Sequence, residues 1–280
     1  MRVLALETSE YVSSIALWDD GVIAGESFPS RMDLCEKLTA RIAALPGVKS
    51  AQGWALDAIA VSRGPGSFTG LRVGMATAKA LAHVLGLPLV GVPTQEAIAA
   101  AAEVGEGERL LVLQHARRGH VYAGLWARSA GGAVELSAPR VVPVEELPDL
   151  LDGIRHIIGP ATDALGDMIA SLPRGLTVCQ THPRAAAVAH LAAARAGEAD
   201  PRAAFTLQPL YLLASQAERM QNMDLSRGLS PEGADPVAGV CADGVSPLQS
   251  GCAAPAGTDP AIGTGPSRRR LRIRRAHLDD

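Results

Sequence analysis

Apolar runs open the chain. Residues 2–8, RVLALET, read as a buried strand, and 12–18, VSSIALW, as a second. Asp19-Asp20-Gly21 makes a tight turn into a third strand at 22–28, VIAGESF. The period then changes. Leu34, Leu38, Ile42 and Leu45 recur at helical spacing in 33–45, and Pro46-Gly47 stops that helix. Residues 56–61 read as a strand, 69–85 as a helix ending at Gly86, 87–92 as a short buried strand, and 94–103 as an Ala-rich helix. A meander followed by strand–helix alternation predicts a mixed sheet flanked by helices.

The opening then recurs. Residues from 109 on, RLLVLQHA, HVYAGLWA and AVELSAPRVV, predict a second three-strand block. HIIG (156–159) and LTVCQ (176–180) read as strands, and 163–171 and 183–196 as helices. Two related subdomains are therefore expected, 1–105 and 106–223, without a sequence repeat between them. The 43 residues from 224 to 266 hold eight Gly and six Pro, one basic residue and no aromatic one, which is linker composition. The last stretch, 267–280, holds six arginines. Leu271 and Ile273 alternate with arginines there, which suits a half-buried strand as well as a basic patch. Ile273-Arg274-Arg275-Ala276 through Asp280 resembles the opening strand of RimI-like GNAT acetyltransferases, so a fusion remnant and a plain basic tail both stand as readings.

Composition narrows the function classes. The 280 residues carry a net charge of −3, so bulk charge does not advertise a nucleic-acid binder, although a local basic patch stays compatible with it. Only nine aromatics argue against stacking platforms for single strands. Cys35, Cys179, Cys241 and Cys252 form no CxxC pair and no zinc spacing, which reads as free thiols in a reducing compartment. The apolar N-terminal run meets Glu7 before reaching signal-peptide length, and no run approaches a membrane span. The expectation is a cytoplasmic protein that engages no membrane.

Two stretches bear chemistry. SRGPGSFTGLRVG, from residue 62, sets Gly64, Pro65, Gly66, Ser67 and Thr69 between a strand and a helix. Glycines allow close backbone approach, Pro65 stiffens the turn, and Ser67 can cap the helix. Free N–H groups at a helix start can hold a phosphate. The loop is neither a Walker A sequence nor a GxGxxG motif, and a plain tight turn accounts for it equally. Glu7, Thr8 and Ser9 form a polar hairpin turn that could wrap a phosphate or simply reverse the chain.

Together with ARRGHVYAGLW (116–126), the motifs LALETS (4–9) and LDAIAVSRGPGSFTGLRVGMATAKALAHVLGLPLVGV (56–92) resemble the TsaB (YeaZ) family. PLYLLAS (209–215) resembles the family's usual ending, so the likeness covers roughly 1–220. It implies an α/β ASKHA (actin-like, ribonuclease H-like) fold of two related subdomains with mixed five-stranded sheets. It also implies a non-catalytic partner of a TsaD paralogue in moving threonylcarbamoyl from threonylcarbamoyl-AMP to N6 of the adenosine beside the anticodon. The tRNAs are those reading ANN codons, a TsaE-like ATPase assists, and tRNA is met through the complex. This chain would require no cofactor of its own, with ATP and Mg in the assembled complex.

Each of Leu34, Leu38, Ile42, Leu71, Met75, Ala78 and Ala82 taken singly reads as core, and the likeness tips the pair of helices 33–45 and 69–85 that carries them towards a partner surface. The same surface would serve a homodimer when the paralogue is absent. Glu7 stands where the family usually has Asp, and His115 and His120 stand at usually acidic positions. TsaD-like proteins hold metal with an HxxxH pair. The histidines here, 83, 115, 120, 156, 182, 190 and 277, include no two four apart. An independent ASKHA ATPase or phosphotransferase is the alternative, and a glycoprotease a more distant one.

Overall fold

A computed structural model describes residues 1–213 apart from 31–32, 52, 172–174 and 201. The linker and Arg-rich tail expected at 224–280, and the acetyltransferase likeness, lie outside the described residues.

The first sheet is built from β1 (Arg2–Glu7), β2 (Val12–Asp19), β3 (Val22–Pro29), β6 (Ala58–Ser62) and β7 (Leu89–Val92), in the order β3-β2-β1-β6-β7. The three opening strands pair antiparallel, and β1, β6 and β7 pair parallel. Between them come α1 (Leu34–Ala44), a small hairpin of β4 (Lys49–Ser50) with β5 (Gly53–Trp54), and α2 (Phe68–Leu85). The second sheet repeats the plan with β8 (Arg109–His115), β9 (His120–Ser129), β10 (Gly132–Pro143), β11 (His156–Gly159) and β12 (Thr177–Gln180), in the order β10-β9-β8-β11-β12. Identical order and direction in both sheets give the related pair that the recurring strand block predicts.

The period of two decides what covers each face. Leu4, Leu6, Ile15, Leu17, Ile59 and Val61 point to one side of the first sheet. There they pack against Leu34, Leu38 and Ile42 of α1 and Met75, Ala78 and Ala82 of α2. Val3, Ala5, Ala16, Ala58 and Ala60 point to the other side. Their small side chains leave room for α4 (Ala185–Ala193), whose Ala185, Val188, Ala189 and Ala192 close this core. Leu111, Leu113 and Val121 of the second sheet pack on two 3-10 helices, Val144–Leu150 and Pro160–Ser171. Its opposite face takes Ile98 and Ala99 of α3 (Thr94–Ala100).

Helices are therefore exchanged between the halves. α3 precedes the second sheet and covers it, while α4 follows the second sheet and covers the first. Arg195 Nη1 donates to Glu96 Oε2 at 3.0 Å and ties the end of α4 to α3. The helix expected at 163–171 falls within 3-10 segments of Pro160–Ser171 that are joined across a kink at Gly166, whose φ of +46° and ψ of −128° are non-helical. The helix expected at 183–196 is α over Ala185–Ala193 only. A last short helix, α5 (Ala203–Thr206), leads into 207–213, which return across the first sheet's loops.

Candidate functional site

β1 and β8 hold the same place in the two sheets, and the turns after them meet. The turn after β1 is fully buried: Glu7, Thr8 and Ser9 show no exposure and Glu10 8%. Ser9 N–H donates to Glu7 Oε1 at 2.6 Å, and Glu7 Oε2 is buried without a partner among the described residues. Burial pushes the Glu7 carboxyl up, against hydrogen bonding from Ser9 and Ser62.

The Gly-rich loop closes on this turn. Ser67 N–H donates to Ser9 O at 2.7 Å, and Thr8 Oγ1 donates to Gly70 O at 2.9 Å. A Cβ at Gly66 would collide with Ser9 O, one at Gly70 with Thr8 O, and one at Gly74 with Thr8 Oγ1. Gly64, at φ +105°, faces Leu210 O, whose own N–H donates to Arg63 O at 2.6 Å. These glycines admit the chain's own backbone. Ser67 caps α2 as its position predicts, accepting from Gly70 N–H, and Gly86 ends the helix in the left-handed conformation.

The phosphate-loop reading named Glu7, Thr8, Ser9, Gly64, Gly66, Ser67 and Thr69. The structure does bring these residues together. However, Ser9 O and Thr8 O fill the ground beside the glycines, and two buried carboxyls, Glu7 and Glu10, lie behind them. The β1 turn and the Gly-rich loop thus pack directly on each other, with the glycines admitting the turn's oxygens. Ser67, Thr69 and Gly70 line a different hollow of about 370 Å³, shared with Thr8, Glu10, Tyr11, Ser30 and Leu34 at the start of α1.

The sequence reading missed the link between the halves. Gln114, fully buried on β8, donates through Nε2 to Glu10 Oε1 at 3.0 Å and to Pro65 O at 3.2 Å. One carboxamide thus joins the second sheet to both the β1 turn and the Gly-rich loop. Burial pushes the Glu10 carboxyl up to about 8, with the Gln114 hydrogen bond opposing and nearby Glu7 and Asp163 adding to it. A neutral acid beside a carboxamide can donate as well as accept, and Gln114 Oε1 is otherwise unpartnered. A glutamine ending the apolar run Leu110–Leu113 is the signal in the sequence that marks the position, and it was passed over.

The partner-surface reading also needs correction at the residue level. Leu34, Leu38, Ile42, Leu71, Met75, Ala78 and Ala82 are at most 4% exposed and fill this chain's own core. Their apolar spacing marks the inward stripe of each helix. The outward face carries Thr39, Ala40, Ala43 and Ala44 on α1, and Arg72, Ala76, Ala80 and Val84 on α2. Val84 is 79% exposed. Phe205 and Tyr211, also exposed, flank α2: Phe205 meets His83 edge to face, and Tyr211 accepts from Arg72 Nε at 3.2 Å.

Two mixed sheets of one order, joined at the ends of their first strands, define the actin-like ASKHA class of α/β proteins. A family model described as TsaD, tRNA N6-adenosine threonylcarbamoyltransferase, matches residues 38–150. The tRNA threonylcarbamoyladenosine biosynthesis protein TsaB of Bacillus subtilis is 30% identical over 236 residues, covering 78% of this chain and 96% of that protein. The TsaB protein of Escherichia coli is 38% identical over 140 residues, 47% of this chain, and the match spans only 58% of that relative's length. The solved structure of YeaZ from Pseudomonas aeruginosa superposes with a TM-score of 0.63 at 26% identity, covering 75% of this chain and 99% of that one. The chain belongs to the TsaB family.

Proposed function

We propose that this chain is a non-catalytic partner in tRNA threonylcarbamoyladenosine biosynthesis. It pairs with a TsaD-type threonylcarbamoyltransferase, which carries out the transfer to N6 of the adenosine next to the anticodon in tRNAs reading ANN codons. A TsaE-like ATPase and tRNA join through that complex, ATP and Mg act at the partner subunits, and the setting is the cytoplasm. The observation that carries this reading is the likeness to TsaB along nearly the whole of the Bacillus subtilis protein, and the close packing of the β1 turn on the Gly-rich loop agrees with it. The same closure weighs against an independent ASKHA phosphotransferase. A glycoprotease draws no support from any nucleophile–base pair described above.

The pairing surface is the outward face of α1 and α2. Ala40, Ala43 and Ala44 beside Ala76, Ala80 and Val84 form a small-residue, weakly polar surface that lets two more helices approach closely. A second copy of this chain fits the same face when the partner is absent.

The test is light scattering after size exclusion, on this chain mixed with the TsaD-type protein of the same organism. A heterodimer lost in Ala80→Arg, with the melting temperature of the chain unchanged, is expected. A heterodimer retained by Ala80→Arg moves the interface elsewhere. Nucleotide turnover by the isolated chain would favour the phosphotransferase.

A further inference from the structure

The second sheet has an exposed edge that the pairing role leaves unused. β8, β11 and β12 run parallel, so their C-terminal ends share that edge. Residues 115–120 leave β8 there and 181–184 leave β12. At ~4.8 Å between neighbouring strands, the two loops stand roughly 10 Å apart. They set His115, Arg117, Arg118, His182 and Arg184 on one rim, all exposed. Among the described residues no carboxylate lies within ion-pair distance of Arg117, Arg118 or Arg184. The rim's own acid, Asp163, lies 3.6 Å from His115. Glu145 and Glu146 follow Val144, whose N–H donates to Gly119 O at 3.1 Å, and they form no ion pair with the rim.

Arg117 is held without being neutralised. His120 Nδ1 lies 3.2 Å from Arg118 O, and His120 Nε2 lies 2.8 Å from Arg117 Nη2. A neutral ring with its proton on Nδ1 satisfies both: it donates to the carbonyl and accepts from the guanidinium. A carboxylate at 120 would hold the same guanidinium but cancel its charge. Partial burial holds the His182 imidazole below its usual range, and the nearby His115 and Arg184 side chains push the same way, against Asp163. The rim thus gathers three guanidinium groups that no carboxylate pairs among the described residues, on a chain whose net charge is −3.

We propose that this rim, centred on Arg117, Arg118 and Arg184, binds the phosphate backbone of an RNA strand. The proposal rests on the reading that the chain works on tRNA in a complex. Guanidinium forks match phosphate oxygens in pairs. The rim offers no aromatic ring, so the contact is to backbone rather than to stacked bases. It positions RNA and reads no sequence.

The experiment uses the complex of this chain with the TsaD-type protein of the same organism. A fluorescently labelled transcript of a tRNA reading ANN codons is titrated by anisotropy between about 50 and 200 mM salt. In the R117Q/R118Q/R184Q variant the slope of log affinity against log salt shrinks by about 2–3, and affinity at low salt falls roughly tenfold or more. H120E, which neutralises Arg117 in place, shrinks the slope by about 1. Light scattering shows the variant complexes intact. An unchanged slope and affinity in intact complexes overturns the proposal. Should the two proteins not associate, the pairing reading fails, and the same titration on the chain alone decides the rim by the same slopes.

Discussion

Gly70 and Gly86 lie at opposite ends of α2 and are required for different reasons. At Gly86 the backbone is left-handed with open space around it, so Gly86→Ala strains one dihedral and costs about 1 kcal/mol. At Gly70 the conformation is ordinary, but a methyl would strike the backbone carbonyl of Thr8. Neither backbone can yield without moving the β1 turn, so Gly70→Ala costs about 3 kcal/mol, the upper range for overpacking. Urea unfolding midpoints of the two variants check the contrast. Glu10 gives a second residue-scale prediction. Its carboxyl keeps a proton up to about pH 8 when folded and loses it in the ordinary carboxylate range when unfolded. Between those limits folding takes up a proton, so stability falls as pH rises and levels off above about 8. Glu7 acts in the same direction. Glu10→Gln keeps an uncharged partner for Gln114 and flattens much of that fall, a difference on the order of 4 kcal/mol at full effect. Equal slopes for both proteins between pH 5 and 8 would contradict it. The sequence showed that Gly64, Gly66 and Gly70 admit something close. It could not show that the visitors are the Thr8–Ser9 backbone at Gly66 and Gly70 and Leu210 O at Gly64, because a glycine pattern records room and not its occupant.

At the scale of elements, the strand and helix pattern was largely legible, since each buried face repeats at its own period. The apolar stripes of α1 and α2 were legible too, but they mark the inward faces. The outward faces carry Ala, Thr and Val with little period of their own, so a docking surface there is invisible to hydrophobic spacing. The consequence is a pair of opposite outcomes. Leu38→Ala opens a cavity in a fully buried site and costs about 3 kcal/mol. Ala76→Arg, on the outward face, changes stability by less than about 0.5 kcal/mol yet blocks association. Thermal unfolding read beside size exclusion separates the two. The helix read at 163–171 is of the 3-10 kind, which apolar spacing does not distinguish from α, and it is interrupted at Gly166.

At the scale of the molecule, the exchange of α3 and α4 between sheets is what no local pattern carries. Each helix is Ala-rich and would suit either sheet. The choice is made by the small face of the first sheet, where Val3, Ala5, Ala58 and Ala60 leave room for α4. Crossed helices and the Gln114 link bind the two sheets together, so the halves meet as a braced body. A braced body suits a protein that supports another. The measurement that tests this most directly is threonylcarbamoyl transfer to tRNA by the TsaD-type protein and the TsaE-like ATPase, with and without this chain. The account predicts activity that requires wild-type chain, survives Glu10→Gln and is lost with Ala80→Arg. Full activity without the chain, or full activity with Ala80→Arg, would contradict it.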